Sequence, residues 1–184
     1  MGKVCIFLAD GVEEVEALTV VDLCRRAGVA ISTVSIMPGR EVTSSHQVTF
    51  LADELFADVD FEQVDMIVLP GGMPGTLNLE AYEPLMAQVD AFYKKGKYLS
   101  AICAAPSIFG HRGMLQGETA CSFPEFESHL EGAHVTHGRV EVSGQFITSR
   151  GMGTAIEFGL AIVARMKGQE CAEQIRRKIV YEQN

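Results

Sequence analysis

The sequence predicts an α/β protein: a doubly wound, mostly parallel sheet with helices on both faces. Three observations predict it. Apolar, β-rich runs alternate with longer helical segments along the chain. The strand runs are apolar at nearly every position, as strands covered on both faces are. No repeat, linker or low-complexity stretch interrupts the alternation, so residues 1–184 read as one domain long enough to bury a full core.

The elements follow in order. Lys3 to Ala9 is a strand, and Glu13 to Ala27 a helix that Gly28 ends. Val29 to Ile36 is the second strand. Val42 to Leu51 reads as a short hairpin or a pair of edge strands. Asp65 to Leu69 is a buried strand running into Pro70-Gly71-Gly72. Pro84 to Lys95 is a helix opened by its proline and closed by Gly96. Tyr98 to Ile102 is a strand and Ala104 to Gly110 a helix. Ser122 to Glu131 is a loop with a short helix. Arg139 to Val142 and Gln145 to Thr148 are strands, and Thr154 to Lys167 and Gln169 to Val180 close the chain as helices. In such sheets ligands sit beyond the carboxyl ends of the strands. Three strands end in Asp10-Gly11, Gly71-Gly72 and Cys103, so these ends are expected to share a crevice.

Composition narrows the class of function. With 15 basic and 24 acidic residues the formal charge is −9. An acidic chain without a basic cluster is a poor nucleic-acid binder. No apolar run approaches the ~20 residues of a membrane span. The first ten residues carry an apolar stretch too short for a signal peptide and broken by Asp10. Ile6 stands where a myristoylation signal starting at Gly2 needs Ser or Thr. The five cysteines, Cys5, Cys24, Cys103, Cys121 and Cys171, are odd in number and widely spaced. They fit free thiols in a reducing compartment, hence a cytoplasmic protein, and neither a zinc site nor a disulfide framework.

The segment Leu99-Ser100-Ala101-Ile102-Cys103-Ala104-Ala105-Pro106 carries the sharpest signal. A nucleophile elbow turns tightly from strand to helix and needs small neighbours. Ala101, Ala104 and Ala105 supply them, and Pro106 suits a first helical turn. A thiol there feels the helix dipole and nearby amides, which favour thiolate and lower its pKa from the unperturbed ~8.5. Cys5, Cys24 and Cys171 read instead as small buried hydrophobes.

Glu16 is the second signal. On a helical wheel it lies between Val12 and Val20 and near Leu23, so it projects from an apolar stripe. A carboxylate aimed into a core is costly unless paired or protonated. Such perturbed acids mark functional sites; taken alone, though, Glu16 reads more readily as an ordinary solvated carboxylate on a slightly rotated helix. Glu13 and Glu14 read as complements to the helix N-terminus.

Leu69-Pro70-Gly71-Gly72-Met73-Pro74-Gly75 could expose amides as an oxyanion hole or form a tight turn. Thr148-Ser149-Arg150-Gly151-Met152-Gly153-Thr154 joins a strand to a helix and could bind an anion or cap the helix at Thr154, the cap being the favoured reading. Glu157, inside an apolar helix, is expected to pair with Arg139 or Arg150. His134 and His137 are three apart without further ligands, so no metal is expected.

Together these stretches resemble the ThiJ/PfpI superfamily in its DJ-one and YajL-like branch. The matching residues are Gly11-Val12-Glu13-Glu14-Val15-Glu16, Val21-Asp22 with Arg25-Arg26-Ala27-Gly28, Val68-Leu69-Pro70-Gly71-Gly72, Ala101-Ile102-Cys103-Ala104-Ala105-Pro106, and Thr148-Ser149-Arg150-Gly151 with Gly153-Thr154. The resemblance implies a flavodoxin-like sandwich, a homodimer and no cofactor. It implies Cys103 as nucleophile or oxidisable thiol, a protonated Glu16 touching it, and the amides of Gly72 and Ala104 around the oxyanion. His46, Arg26 and Arg150 become candidate substrate or interface groups. The implied activities are glyoxalase-type conversion of reactive aldehydes, deglycation of adducts, chaperoning and oxidative-stress sensing. Phe123 stands where many superfamily members have a histidine, which argues against a cysteine–histidine peptidase. His46 stands where DJ-one-like proteins often have arginine.

Overall fold

A computed structural model describes residues 2–181. The helices and strands are β1 (Lys3–Leu8), α1 (Glu14–Arg26), β2 (Ala30–Ser35), β3 (Glu41–Thr43), β4 (Thr49–Leu51), β5 (Glu54–Leu55), β6 (Val64–Leu69), α2 (Gly75–Ala81), α3 (Glu83–Lys95), β7 (Tyr98–Ile102), α4 (Pro106–His111), β8 (Thr119–Ala120), β9 (His134–Val135), β10 (Val140–Ser143), β11 (Phe146–Ser149), α5 (Ala155–Lys167) and α6 (Gln169–Lys178). The main sheet has the order β10-β11-β7-β6-β1-β2-β5. Its pairs are parallel except β10 with β11. This is the flavodoxin-like α/β fold that the sequence predicts.

Strand alternation explains the layering. In β1, Val4, Ile6 and Leu8 enter one core with Val20 and Leu23 of α1 and Phe158 and Ile162 of α5. Cys5 and Phe7 enter the other, with Val89 and Phe92 of α3 and Ile108 of α4. A period of two on a sheet covered on both faces thus builds two cores from one apolar run. No helix among the described residues is long and apolar enough to cross a membrane.

Several boundaries move. The expected hairpin forms as β3 and β4, outside the main sheet. The helix expected from Ala104 starts at Pro106, because Cys103, Ala104 and Ala105 make the turn that precedes it. The last helix stops at Lys178, before Val180, which has φ 58°. Helix α2 was not expected, yet it carries buried Leu79 into the second core. The short helix of the 122–131 loop is a 3₁₀ segment, Pro124–His129.

Candidate active site

The carboxyl ends of β1, β6, β7 and β11 meet at Cys103. Its φ of 66° is left-handed, a conformation that costs a non-glycine residue about 1–3 kcal/mol. Neighbouring backbone holds it there. The Cys103 amide donates to the Ser149 carbonyl at 3.0 Å, and the Phe123 amide donates to the Cys103 carbonyl at 2.8 Å. The elbow is therefore pinned by the last residue of β11 and by the loop that follows β8.

Helix α1 brings Glu16 to the same point. Glu13 caps this helix, its Oε2 accepting the Glu16 amide at 2.7 Å. Glu16 faces inward with 1% of its surface exposed. Its Oε2 accepts the Gly71 amide at 2.9 Å, and it adjoins the Cys103 thiol: a Cβ on Gly71 would lie 2.6 Å from this oxygen and 3.1 Å from the Cys103 Sγ. Gly71 sits between the two. A Cβ at that position would lie 2.5 Å from the Cys103 Cβ and 2.6 Å from Glu16 Oε2, so only glycine fits. Gly72, at φ 95°, packs so closely on the Gly11–Glu13 backbone that a Cβ there would fall 2.3 Å from the Glu13 nitrogen. The amides of Gly72 and Ala104 both favour the charged form of the Cys103 sulfur.

Burial, aided by the nearby Glu13 charge, raises the Glu16 carboxyl from the usual 4.5 to about 7, against the pull of the Gly71 amide. For Cys103 the sequence expectation is corrected. Burial first, then the adjoining Glu16 carboxylate, push the thiol up to about 12, and the amides of Ala104 and Gly72 offset only part of this. The following helix has six residues and so sums few peptide dipoles. The two titrations are coupled. While Glu16 is ionised it opposes a thiolate. Once protonated, it removes that repulsion and offers the sulfur an O–H donor. The sulfur's charge is therefore conditional on the Glu16 proton. Buried Cys5 and Cys24 are also pushed up, to about 12 each, by desolvation with no acid partner of this kind.

The other sequence candidates separate. His46, on the β3–β4 turn, pairs with Glu14 Oε2 at 3.1 Å beside the α1 N-terminus. Atoms of Glu13, Glu14 and His46 lie within 4.8 Å of one another, a grouping that the ion pairing itself accounts for. Arg26 pairs with Asp22 at the far end of α1, about 15 Å along the helix from Glu16. Arg150 engages Glu127 Oε1 at 3.1 Å and the His137 carbonyl at 3.3 Å. Glu157 takes Arg139 as its partner. Thr154 makes no side-chain cap on α5; its hydroxyl instead closes the loop onto Gly151 and Ser149. Sequence reasoning missed the spacer role of Gly71, because only the fold brings residues 16, 71 and 103 together.

The sequence profile of the DJ-1/PfpI family matches residues 2–165. Protein DJ-1 homolog B of Arabidopsis thaliana is 35% identical over 99% of this chain, which spans 42% of that relative's length. The solved structure of oxidized Toxoplasma gondii DJ-1 superposes with a TM-score of 0.95 at 34% identity and covers 100% of both chains. The glutathione-independent glyoxalase DJ-1 of Schizosaccharomyces pombe is 29% identical over 92% of this chain and 94% of its own.

Proposed function

The chain belongs to the DJ-1/PfpI family, and from that premise we propose that Cys103 and Glu16 form the reacting pair of a cofactor-free enzyme that converts 2-oxoaldehydes to 2-hydroxy acids. The observation that carries the reading is a buried carboxyl, its pKa raised to about 7, set beside an elbow thiol at Gly71. A general acid–base works best with a pKa near the operating pH. The Schizosaccharomyces pombe relative bears the glyoxalase name.

The chemistry balances without an external oxidant. The Cys103 sulfur adds to the aldehyde carbon, and its proton passes, directly or by way of Glu16, to the new oxygen, giving a hemithioacetal and leaving Glu16 ionised. Gly72 and Ala104 amides stabilise the oxyanion as it forms. Glu16, as carboxylate, removes the proton from that carbon and returns it to the adjacent one while the hydroxyl proton passes to the former ketone oxygen, so the ketone becomes a secondary alcohol and the hemithioacetal a thioester. Water hydrolyses the thioester and restores the thiol. Glycated adducts of the same aldehydes would enter by the same attack. Cys103→Ala should abolish lactate formation from methylglyoxal. Conversion at the wild-type rate would remove the proposal.

A second reading has its own support. Oxidation of Cys103 by peroxide to a sulfinate would place two oxygens among the Gly72 and Ala104 amides and the Glu16 acid. The Toxoplasma gondii relative is described as oxidized. Selective addition of two oxygens at Cys103 after mild peroxide, with no aldehyde turnover, would favour a sensor or redox-regulated chaperone. We further propose a cytoplasmic homodimer. All five cysteines are free. A groove of about 680 Å³ between α1 and the C-terminal helix leaves Val15 and Leu18 more than 40% exposed, and a second copy would cover it.

A further inference from the structure

Glu13, Glu16 and Gly71 close a ring of three hydrogen bonds. The Glu13 amide donates to the Gly71 carbonyl at 2.9 Å. The Gly71 amide donates to Glu16 Oε2 at 2.9 Å. The Glu16 amide donates to Glu13 Oε2 at 2.7 Å. Both backbone polar groups of Gly71 are thus taken by the first turn of α1, and one oxygen of the Glu16 carboxyl is fixed. Its Oε1 has no hydrogen-bond partner among the described residues, as suits an oxygen that carries the acid proton.

The cap at the head of this ring is an unusual one. Helix N-caps are ordinarily Ser, Thr, Asp or Asn, whose short side chains reach the early amides at little entropic cost. Here the cap is Glu13, a longer side chain that must be ordered, and only 13% of it is exposed. A serine would satisfy the same amide. What glutamate adds is an anion within one turn of Glu16. The titratable groups facing the Glu16 carboxyl among the described residues are Glu13 on its own helix and Cys103 on the elbow. From the loop after β11, Gly151 approaches Oε1 with backbone alone, and the adjoining Arg150 is engaged by Glu127 and the His137 carbonyl. Glu13 in turn is faced by His46, whose Nδ1 lies 3.9 Å from Glu13 Oε1 and 3.1 Å from Glu14 Oε2.

We propose that Glu13 is a positioning residue that acts through Glu16, keeping the proton on its carboxyl, and that a cation at position 46 opposes it. This rests on the reading of Cys103 and Glu16 as the reacting pair. Ionising Glu16 sets two anions side by side in a mostly buried first turn, where like charges repel more strongly than in water.

The test is the pH titration of the Glu16 carboxyl by carbon-13 NMR in the full chain carrying Cys103→Ser, its signal identified by its loss in Glu16→Gln. In Glu13→Gln and Glu13→Ser, both able to accept the Glu16 amide, the midpoint should fall from about 7 by ~0.5 pH unit or more. Glu13→Asp should keep it. His46→Lys, a fixed cation over an intact Glu13, should lower it too, and keeps the test open if a variant at position 13 does not fold. With Cys103 present, the pH profile of kcat/KM for methylglyoxal should move to lower pH in step. A midpoint unmoved in folded Glu13→Gln and Glu13→Ser, or moved equally in Glu13→Asp, reduces Glu13 to a helix cap and overturns the proposal. So does a kcat/KM profile that stays fixed while the midpoint moves. Wild-type protein that turns over no methylglyoxal overturns the reading of the reacting pair, a distinct result, while the carboxyl titration still reports on Glu13.

Discussion

Replacing Glu16 by glutamine should stabilise the fold in alkaline solution while removing its chemistry. The folded carboxyl titrates at about 7 against 4.5 when unperturbed. Because the folded value is raised, the stability this group confers is complete below about pH 4.5 and lost as pH rises through about 7. Its full size is roughly 3 kcal/mol, undiminished by solvent because Glu16 is 1% exposed. The sequence pI is about 5.0, so measurements at about pH 5.5 and 8.5 avoid precipitation and should capture roughly 2 kcal/mol of it. Glutamine keeps an oxygen for the Gly71 amide and has no proton to lose. The assay is urea unfolding followed by far-UV circular dichroism, since the chain has no tryptophan. Both proteins carry Cys103→Ser, so that no thiol titrates beside residue 16. The stability difference, glutamine minus glutamate, should rise by about 2 kcal/mol between the two pH values. A difference constant to within ~1 kcal/mol would refute the argument that burial holds the acid protonated.

Gly71→Ala forces a methyl into the space of the Cys103 Cβ and Glu16 Oε2, and should cost ~1–3 kcal/mol in thermal unfolding and lower turnover by at least ~100-fold; a fully active variant would show that the pair need not touch. Iodoacetamide at neutral pH should label Cys103 before Cys5, Cys24 and Cys121, all of which are buried, with a rate profile that loses its inflection near 7 in Glu16→Gln. Peptide mapping that finds equal labelling would contradict this. Leu18→Asp, in the exposed α1 groove, should shift sedimentation from dimer to monomer while the circular dichroism spectrum stays unchanged; a dimer that persists would place the interface elsewhere.

Much of this was legible because local pattern and burial agree. The run Lys3 to Ala9 reads as a strand from composition alone, and its alternation feeds both cores. Glu16 was legible as an anomaly, a charge on an apolar stripe. Helix α2 escaped because Pro70-Gly71-Gly72-Met73-Pro74 reads as loop; the signal available was Pro74 just ahead of Thr76-Leu77-Asn78-Leu79. The thiol's acidity was misjudged because sequence displays the helix start and conceals the desolvation. In sequence Thr154 reads as a cap, because its partners, Ser149 and Gly151, come into reach only when the loop folds back. The close packing around Gly71 joins three distant parts of the chain and has no local signature.

The left-handed residue at the elbow is gripped by its neighbours' peptide groups, not by its own side chain. The socket is thus indifferent to what hangs from it. A selenol, a hydroxyl or a bare hydrogen can be seated at position 103 with the perch intact, and glycine there relieves the torsional penalty altogether. Chemistry at this spot is exchangeable cargo on a fixed mount, which makes it a natural place to graft a different reactive group.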